Sequence, residues 1–263
     1  MEVLRSIEDY RVWRASLPLA EAVGCVPTMG ALHAGHGSLI ERSAAENAHT
    51  VVTLFVNPTQ FNDPADFQAY PNNLDGDLRA AEAAGASAVF APDRDSLYPD
   101  DYTYRVTELA QSTMLEGAHR PGHFDGVLTV VLKLLNVTQP HRAYFGEKDW
   151  QQLQLIRGMV AAFFLPIEIV PCPTVRDADG LALSSRNQRL SREDRARAAQ
   201  FPQILRNAAT PEAARAALEA AGFRVDYVED HANRRLAAIH HGGVRLIDNL
   251  PLDVVQKNTG GGT

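Results

Sequence analysis

The chain has 263 residues, of which 22% are charged and 45% are hydrophobic. Both shares are near the average of globular proteins, and they exclude a disordered or fibrous chain. The formal net charge is −7, without sign of the basic face typical of nucleic-acid-binding proteins, so we expect no nucleic-acid partner.

Short apolar segments that suit buried strands alternate in the first part of the chain with segments of helical periodicity. Strands are predicted at residues 22–26, 50–56, 88–91, 142–145 and 167–170. Helices are predicted at residues 38–47, 75–84, 124–137 and 150–164. This alternation predicts a parallel sheet with helices on both faces. Ligands bind such sheets beyond the carboxyl ends of the strands, so the candidate functional residues are those that follow each strand.

The pattern changes after about residue 176. Helices are predicted at residues 191–209 and 211–221, and strands at residues 224–229, 237–241 and 244–247. We therefore expect one domain over residues 1–176 and a smaller α+β domain over residues 177–258. The glycine-rich end, residues 259–263, is predicted to be a disordered tail.

The cysteines and the apolar segments indicate a cellular compartment. Cys25 and Cys172 are the only cysteines and lie far apart, which predicts free thiols in a reducing compartment. The first residues do not resemble a secretory signal. The longest apolar segments, 127–137 and 159–170, are both interrupted by charged residues, so no membrane span is predicted. We expect a cytoplasmic protein without a membrane partner.

The segment after the first strand, residues 27–39, reads PTMGALHAGHGSL. His33 and His36 lie where this loop enters a predicted helix, and the N–H groups and positive dipole end of a helix favour anions. Imidazoles at that place can donate to phosphate oxygens. The alternative is an ordinary loop with two surface histidines. The segment matches neither the P-loop nor the Rossmann glycine pattern, and no third ligand beside the histidines supports a zinc site.

Polar residues also follow the second and fourth predicted strands. Asn57 and Gln60 follow the second, and such amides suit a small molecule with hydroxyl and carboxylate groups, although Asn-Pro is also a common turn. After the fourth strand, Lys148 can contact a phosphate, and Asp149 can cap a helix or accept from a ribose. Gln152 follows Asp149 by three positions and lies on the same helix face. A helix cap with a solvated lysine explains Lys148 and Asp149 equally well.

Two further polar loops follow later in the chain. Residues 176–187, RDADGLALSSRN, contain Ser184, Ser185 and Arg186, which can hold a polyphosphate. The alternative is a polar turn with a surface arginine. The segment 120–126, RPGHFDG, precedes a long predicted helix and is either a substrate-side loop or a helix cap.

Six segments together resemble the pantoate–β-alanine ligase (pantothenate synthetase) family, in order and over nearly the whole chain. They are VPTMGALHAGH, FVNPTQF, LEGAHRPGHFDGV, FGEKDWQQL, VRDADGLALSSRN and GGVRLIDN. The His-x-Gly-His element is also similar to the wider nucleotidyltransferase superfamily, in which a second loop closes on the phosphates.

The resemblance implies a Rossmann-like catalytic domain and a small C-terminal lid domain. It implies ATP-dependent condensation of (R)-pantoate with β-alanine through a pantoyl-adenylate, with release of AMP and diphosphate. It also implies Mg²⁺ and a homodimer. No metal ligand among the protein side chains follows from it.

The resemblance also implies residue roles. The catalytic residues would be His33, His36, Lys148 and Arg186. The ATP contacts would be Met29, Gly30, His33, Gly35, His36, Gly146, Glu147, Lys148, Asp149, Val175, Leu183, Ser184, Ser185 and Arg186. The contacts of pantoate and β-alanine would be Gln60, Asn57 and Gln152.

The chain departs from the family pattern at two places. Gly37 occupies a position where a larger residue is usual, and glycine in a helix costs up to about 1 kcal/mol relative to alanine. The stretch between Val228 and Ile239 is shorter than the pattern implies. Two alternative functions stay open. One is a related nucleotidyltransferase with another acid as substrate, and the other, which these departures motivate, is a non-catalytic ATP-binding paralogue.

Overall fold

The structure is a computed structural model that describes residues 1–257. The predicted tail, residues 259–263, lies outside the described residues. The chain divides into two compact units, each described by itself below. The larger unit comprises Met1–Glu147 and Gln151–Pro173, and the smaller unit comprises Lys148–Trp150 and the chain from Thr174 onward.

A parallel sheet forms the centre of the larger unit. Its strands are β1 (Glu2–Leu4), β2 (Val23–Thr28), β3 (His49–Leu54), β4 (Ala88–Phe90), β5 (Arg142–Gly146) and β6 (Glu168–Cys172). They lie in the order β1-β4-β3-β2-β5-β6, and each paired neighbour runs parallel. This arrangement confirms the predicted parallel, Rossmann-like sheet.

The register of the central strands places the candidate residues at one edge. Strands β2 and β3 pair from Val23 with His49 to Thr28 with Leu54, so their carboxyl ends lie side by side. Strand β5 pairs on the other side of β2. Both faces of β2 and β3 are buried, and for this reason they occur in the sequence as nearly continuous apolar runs.

Helices follow most strands of this unit. They are α1 (Ile7–Ser16), α2 (Ala34–Glu46), α3 (Pro64–Gln68), α4 (Leu74–Ala83), α5 (Arg94–Leu97), α6 (Glu116–His119), α7 (His123–Thr138) and α8 (Trp150–Ala162). Sequence periodicity did not indicate β1 or α1. Strand β1 is only three residues long, too short to show a pattern. Helix α1 buries Tyr10 and leaves its other residues at least partly exposed, so it has no apolar stripe.

The smaller unit has its own antiparallel sheet and core. The strands β7 (Arg224–His231), β8 (Arg234–His241) and β9 (Val244–Pro251) pair in chain order. The helices are α9 (Arg192–Ala198), α10 (Gln200–Asn207), α11 (Pro211–Ala220) and α12 (Leu252–Lys257). The stretch between Val228 and Ile239 lies within the β7–β8 hairpin, whose turn residues Ala232 and Asn233 have φ values of 47° and 61°. Positive φ at both positions is typical of a tight hairpin turn.

The predicted helix at residues 191–209 is wrong in one respect, because it is interrupted at Ala199. Pro202 lies three residues further on. A proline removes the N–H that would bond to the carbonyl four residues earlier, here that of Ala198. Proline is tolerated in the first turn of a new helix, which is where Pro202 lies in α10. The predicted N-cap is confirmed, since the Ser191 hydroxyl accepts from the Asp194 N–H over 3.0 Å.

Across residues 1–257, the longest helices are too short or too polar to cross a lipid bilayer.

Candidate active site

The loop after β2 presents two imidazoles at the start of α2. His33 is the N-cap of α2, and its Nδ1 accepts a hydrogen bond from the Gly35 N–H over 3.1 Å. The Nδ1 of His36 accepts from the His33 N–H over 3.4 Å, and the two ring centroids lie 4.1 Å apart. Because each Nδ1 accepts, each neutral ring has its proton on Nε2. The pair therefore offers N–H donors at a helix N-terminus, which is a favourable place for phosphate.

The backbone of the same loop is held by a buried carboxylate. Asp77 on α4 is 6% exposed, and its oxygens accept from the N–H groups of Ala31 and Leu32 over 2.9 and 2.7 Å. Gly30 has φ +78°, and a Cβ there would lie 2.8 Å from Asp77 Oδ2. Glycine is therefore required at position 30 both for the backbone conformation and for the approach of Asp77. Met29 is half-buried between Thr28 and this glycine.

Gln60 lies at the end of a single 3₁₀ turn, Pro58–Gln60, shortly after β3. Asn57 is 1% exposed, and its amide donates to Gln60 Oε1 over 3.0 Å and to the Gly126 carbonyl over 3.1 Å. The Tyr98 hydroxyl donates to Asn57 Oδ1 over 2.9 Å. The amide of Asn57 thus orients the side chain of Gln60, which is itself half-buried.

Helix α7 packs closely against this turn. A Cβ at Gly126 would lie 2.5 Å from the Thr59 carbonyl oxygen and 2.8 Å from the Gln60 nitrogen. Position 126 therefore accepts only glycine without a backbone shift, and this explains the glycine of the FDGV segment.

Gln152 is half-buried in the first turn of α8, next to a buried glutamine. That neighbour, Gln151, accepts from the Glu116 N–H over 3.0 Å and donates to the Gln111 and Met114 carbonyls over 2.7 and 2.8 Å. Gln151 thus fixes the chain around α6 to the start of α8. Gly146 ends β5, and a Cβ there would meet no protein atom within 4 Å. Packing within the protein does not require glycine at position 146.

In the smaller unit, the late GGVRLIDN segment holds the residues around Lys148. Asn249 is 3% exposed and donates to the Lys148 carbonyl over 2.9 Å. Its Oδ1 accepts from Arg234 Nε over 2.7 Å, and the Arg234 guanidinium lies 4.3 Å from the Trp150 ring centre. The Lys148 ammonium lies 3.7 Å from the Asp149 carboxylate, within the 3₁₀ turn Glu147–Asp149.

The same late segment holds the loop that contains Ser184, Ser185 and Arg186. Asp248, which is 3% exposed, accepts two hydrogen bonds from the Arg176 guanidinium over 2.7 and 2.8 Å. Arg176 pairs with Ala182 in an isolated bridge, and the Leu183 N–H donates to the Val175 carbonyl over 3.0 Å.

The Ser184–Arg186 segment itself begins a short 3₁₀ turn. The Ser184 hydroxyl accepts from the Arg186 N–H over 3.3 Å, and Ser185 is 6% exposed. The backbone of this polar loop is therefore fixed by a small hairpin and by Asp248.

Sequence reasoning missed the supporting roles of Asp77, Asp248 and Asn249. Asp248 and Asn249 belong to the GGVRLIDN segment, for which the resemblance implies no residue roles. Asp77 had no distinguishing signal, because an acidic residue in the first turn of a helix is common. Within residues 1–257, no group of three or more His, Cys, Asp or Glu side chains is arranged to hold a metal ion.

The chain is similar over nearly its full length to proteins of known family. The family model described as pantoate-beta-alanine ligase matches residues 2–251. A pantothenate synthetase of Bdellovibrio bacteriovorus is 53% identical over 251 residues, which are 95% of this chain and 99% of the relative. A pantothenate synthetase of Legionella pneumophila is 47% identical over 252 residues, which are 96% of this chain and 100% of the relative.

Solved structures agree with the sequence relatives. A pantoate-beta-alanine ligase of Francisella tularensis, complexed with beta-gamma ATP and beta-alanine, superposes with a TM-score of 0.93 at 42% identity. The alignment covers 96% of this chain and 98% of that chain. A pantothenate synthetase of Thermus thermophilus gives a TM-score of 0.87 at 40% identity, over 96% of this chain and 99% of that one.

Proposed function

The chain belongs to the pantoate-beta-alanine ligase family, and we propose how its residues carry out the family's reaction. The protein is an AMP-forming ligase that condenses pantoate with β-alanine at the expense of ATP, giving pantothenate, AMP and diphosphate. The observation that carries the residue assignment is the pair of imidazoles at the start of α2, whose backbone contacts leave Nε2 as the donor.

In the first step, a pantoate carboxylate oxygen attacks the α-phosphorus of ATP. A new P–O bond forms, the bond to the bridging oxygen of diphosphate breaks, and pantoyl-adenylate results. Negative charge grows on the phosphate oxygens, so donors fixed beforehand stabilise the transition state. We assign this work to His33, His36, Lys148 and Arg186.

We assign the remaining ATP contacts to residues of the same segments. They are Met29, Gly30, Gly35, Gly146, Glu147, Asp149, Val175, Leu183, Ser184 and Ser185. Gln60 and Gln152 are the pantoate contacts, with Asn57 beside Gln60 and orienting its amide. We propose that Mg²⁺ enters with ATP, because Mg²⁺ is commonly held by substrate phosphates with only one or two carboxylates.

In the second step, the neutral amine of β-alanine attacks the acyl carbon of the adenylate. The C–N bond forms, AMP leaves with the electrons of the C–O bond, and the ammonium proton is lost. Positioning of the amine against the acyl carbon can supply much of the rate of such a step.

Three further expectations stay predictions: the lid role of residues 177–258, a homodimer, and a cytoplasmic location. The two buried cysteines are both free thiols, which supports a reducing compartment. Light scattering on the purified protein measures the molecular mass in solution and so tests whether it is a dimer.

The reaction is tested with pantoate labelled with ¹⁸O in its carboxylate. Attack on the α-phosphorus transfers one labelled oxygen to AMP, whereas a route through an acyl phosphate transfers it to phosphate. Unlabelled AMP, or AMP release that requires neither pantoate nor β-alanine, would contradict the proposal. Activity with another acid but not with pantoate would instead indicate a related nucleotidyltransferase.

Substitutions test the residue assignment. His36→Ala and Lys148→Ala should mainly lower the rate of adenylate formation, because each removes a donor to the phosphates. Gln60→Ala should mainly raise the KM for pantoate. If Gln60→Ala leaves pantoate kinetics unchanged, the pocket has been assigned to the wrong residues.

A further inference from the structure

The backbone carbonyl of Gln60 is held by two side chains from the segment that precedes and begins α7. His123 Nδ1 lies 2.8 Å from the Gln60 carbonyl oxygen, and Arg120 Nη2 donates to the same oxygen over 3.2 Å. His123 is 7% exposed. The sequence did not decide between a substrate-side loop and a helix cap for this segment.

The contacts fix the tautomer of His123. The Gln60 carbonyl only accepts, so Nδ1 must carry the proton. Arg120 Nη1 lies 3.1 Å from His123 Nε2, and because a guanidinium only donates, Nε2 must be the acceptor. His123 is therefore neutral, with its proton on Nδ1, and each ring nitrogen has a defined partner.

Arg120 is held in turn by a carboxylate of α6. Its guanidinium lies 3.7 Å from the Glu116 carboxylate, and Glu116 is 6% exposed. The Glu116 N–H donates to Gln151, which adjoins Gln152. A continuous set of contacts thus links the start of α8 to the carbonyl of Gln60.

We propose that His123 and Arg120 are positioning residues that set the orientation of Gln60 for pantoate. Asn57 orients the side-chain amide of Gln60, while His123 and Arg120 hold its backbone carbonyl. This inference rests on the proposed role of Gln60 as a pantoate contact. Neither positioning residue needs to touch the substrate, because each acts through the backbone of Gln60.

Two conservative substitutions separate the two contacts of His123. In His123→Asn, the side-chain amide nitrogen lies where Nδ1 was and can still donate to the Gln60 carbonyl. In His123→Gln, the amide lies where Nε2 was, so it keeps the contact to Arg120 and loses the donor to Gln60. The loss of one such hydrogen bond corresponds to about a five- to tenfold change in an equilibrium.

The experiment measures the KM for pantoate, ATP and β-alanine in His123→Asn, His123→Gln, Gln60→Ala and the exposed control His119→Gln. We expect His123→Gln to raise the pantoate KM about five- to tenfold, with the ATP KM unchanged. His123→Asn and His119→Gln should stay close to wild type. Equal effects of the Asn and Gln variants, or an unchanged pantoate KM in His123→Gln, would overturn the inference.

The Gln60→Ala variant distinguishes a failure of the positioning role from a failure of the proposed pantoate pocket. If Gln60→Ala does not raise the pantoate KM, the pocket assignment fails whatever His123 does. If Gln60→Ala raises it and His123→Gln does not, only the positioning role fails. Should the His123 variants not fold, Arg120→Lys provides a second test, because one ammonium cannot contact both His123 and the Gln60 carbonyl. An unchanged pantoate KM in folded Arg120→Lys would also overturn the inference.

Discussion

Asp77 Oδ1 accepts a hydrogen bond over 2.7 Å from the N–H of Leu32, which lies 45 positions earlier in the chain. Its other oxygen accepts from the neighbouring Ala31. In Asp77→Asn, one of these acceptors becomes an NH₂ donor that faces an N–H. A hydrogen bond to a charged group contributes about 1.5–3 kcal/mol, so we expect the free energy of unfolding to fall by that amount. The ATP KM should rise as well, because the loop that contains His33 and His36 loses the contacts that Asp77 makes with its backbone.

Urea titration and ATP kinetics test this prediction, with Asp75→Asn as the matched control. Asp75 is exposed and lies in the same first turn of α4, so it reports the effect of removing a charge at that helix end. An exposed substitution of this kind usually changes stability by no more than about 0.5 kcal/mol. If the two variants lose equal stability, Asp77 acts only through the helix dipole.

The structure predicts that alanine at position 37, in place of Gly37, stabilises the protein. A Cβ at position 37 would meet no protein atom within 4 Å, and the Gly37 N–H already donates to the His33 carbonyl within the helix. Gly37→Ala should therefore raise the free energy of unfolding by up to about 1 kcal/mol. Gly30→Ala should lower it, because φ is +78° and Asp77 lies too close. Thermal unfolding of both variants decides the point, and a loss of stability in Gly37→Ala would contradict it.

The sequence predicted the sheet and the residues that follow its strands, because buried parallel strands leave long apolar runs that end where the ligands bind. His33, His36, Asn57 and Gln60 follow β2 and β3, whose carboxyl ends lie side by side. The residues that support them could not be predicted in the same way. Asp77 lies 46 positions from Ala31, and nothing local to its helix indicates which backbone it contacts.

The same limitation applies to the smaller unit. Asp248 lies 72 positions from Arg176, so only the folded sheet shows that they pair. The helix break at Ala199 is different, because Pro202 indicates it locally in the sequence. The helical periodicity on both sides of the break nevertheless predicts one continuous helix.

The two cysteines should be inert in the folded protein. Cys25 is fully buried, and burial raises the pKa of its thiol to about 12. Burial also raises the pKa of the Cys172 thiol, which is 3% exposed. A raised pKa keeps a thiol protonated and unreactive. A thiol-specific disulfide reagent should therefore label neither cysteine quickly at pH 8, and a change from pH 7 to pH 9 should add little.

Denaturant supplies the control for the thiol experiment. In the unfolded chain both cysteines are exposed and regain ordinary pKa values, so both should react. Rapid labelling of one thiol in the native protein, confirmed by peptide mapping, would show that Cys25 or Cys172 becomes accessible without global unfolding.

Asn249 should control adenylate formation through its contact with the backbone of Lys148. It donates to the Lys148 carbonyl over 2.9 Å and accepts from Arg234 over 2.7 Å. Asn249→Ala removes both contacts, whereas Asn249→Asp keeps an acceptor for Arg234 and places a carboxylate oxygen against the Lys148 carbonyl.

If the contact between Asn249 and the Lys148 backbone matters, both variants should lower the rate of diphosphate release from ATP and pantoate. A buried hydrogen bond of this kind is worth about 1 kcal/mol, so the expected decrease is about fivefold or more. A normal rate in a folded Asn249→Asp variant would show instead that the contact with Arg234 is the one that matters.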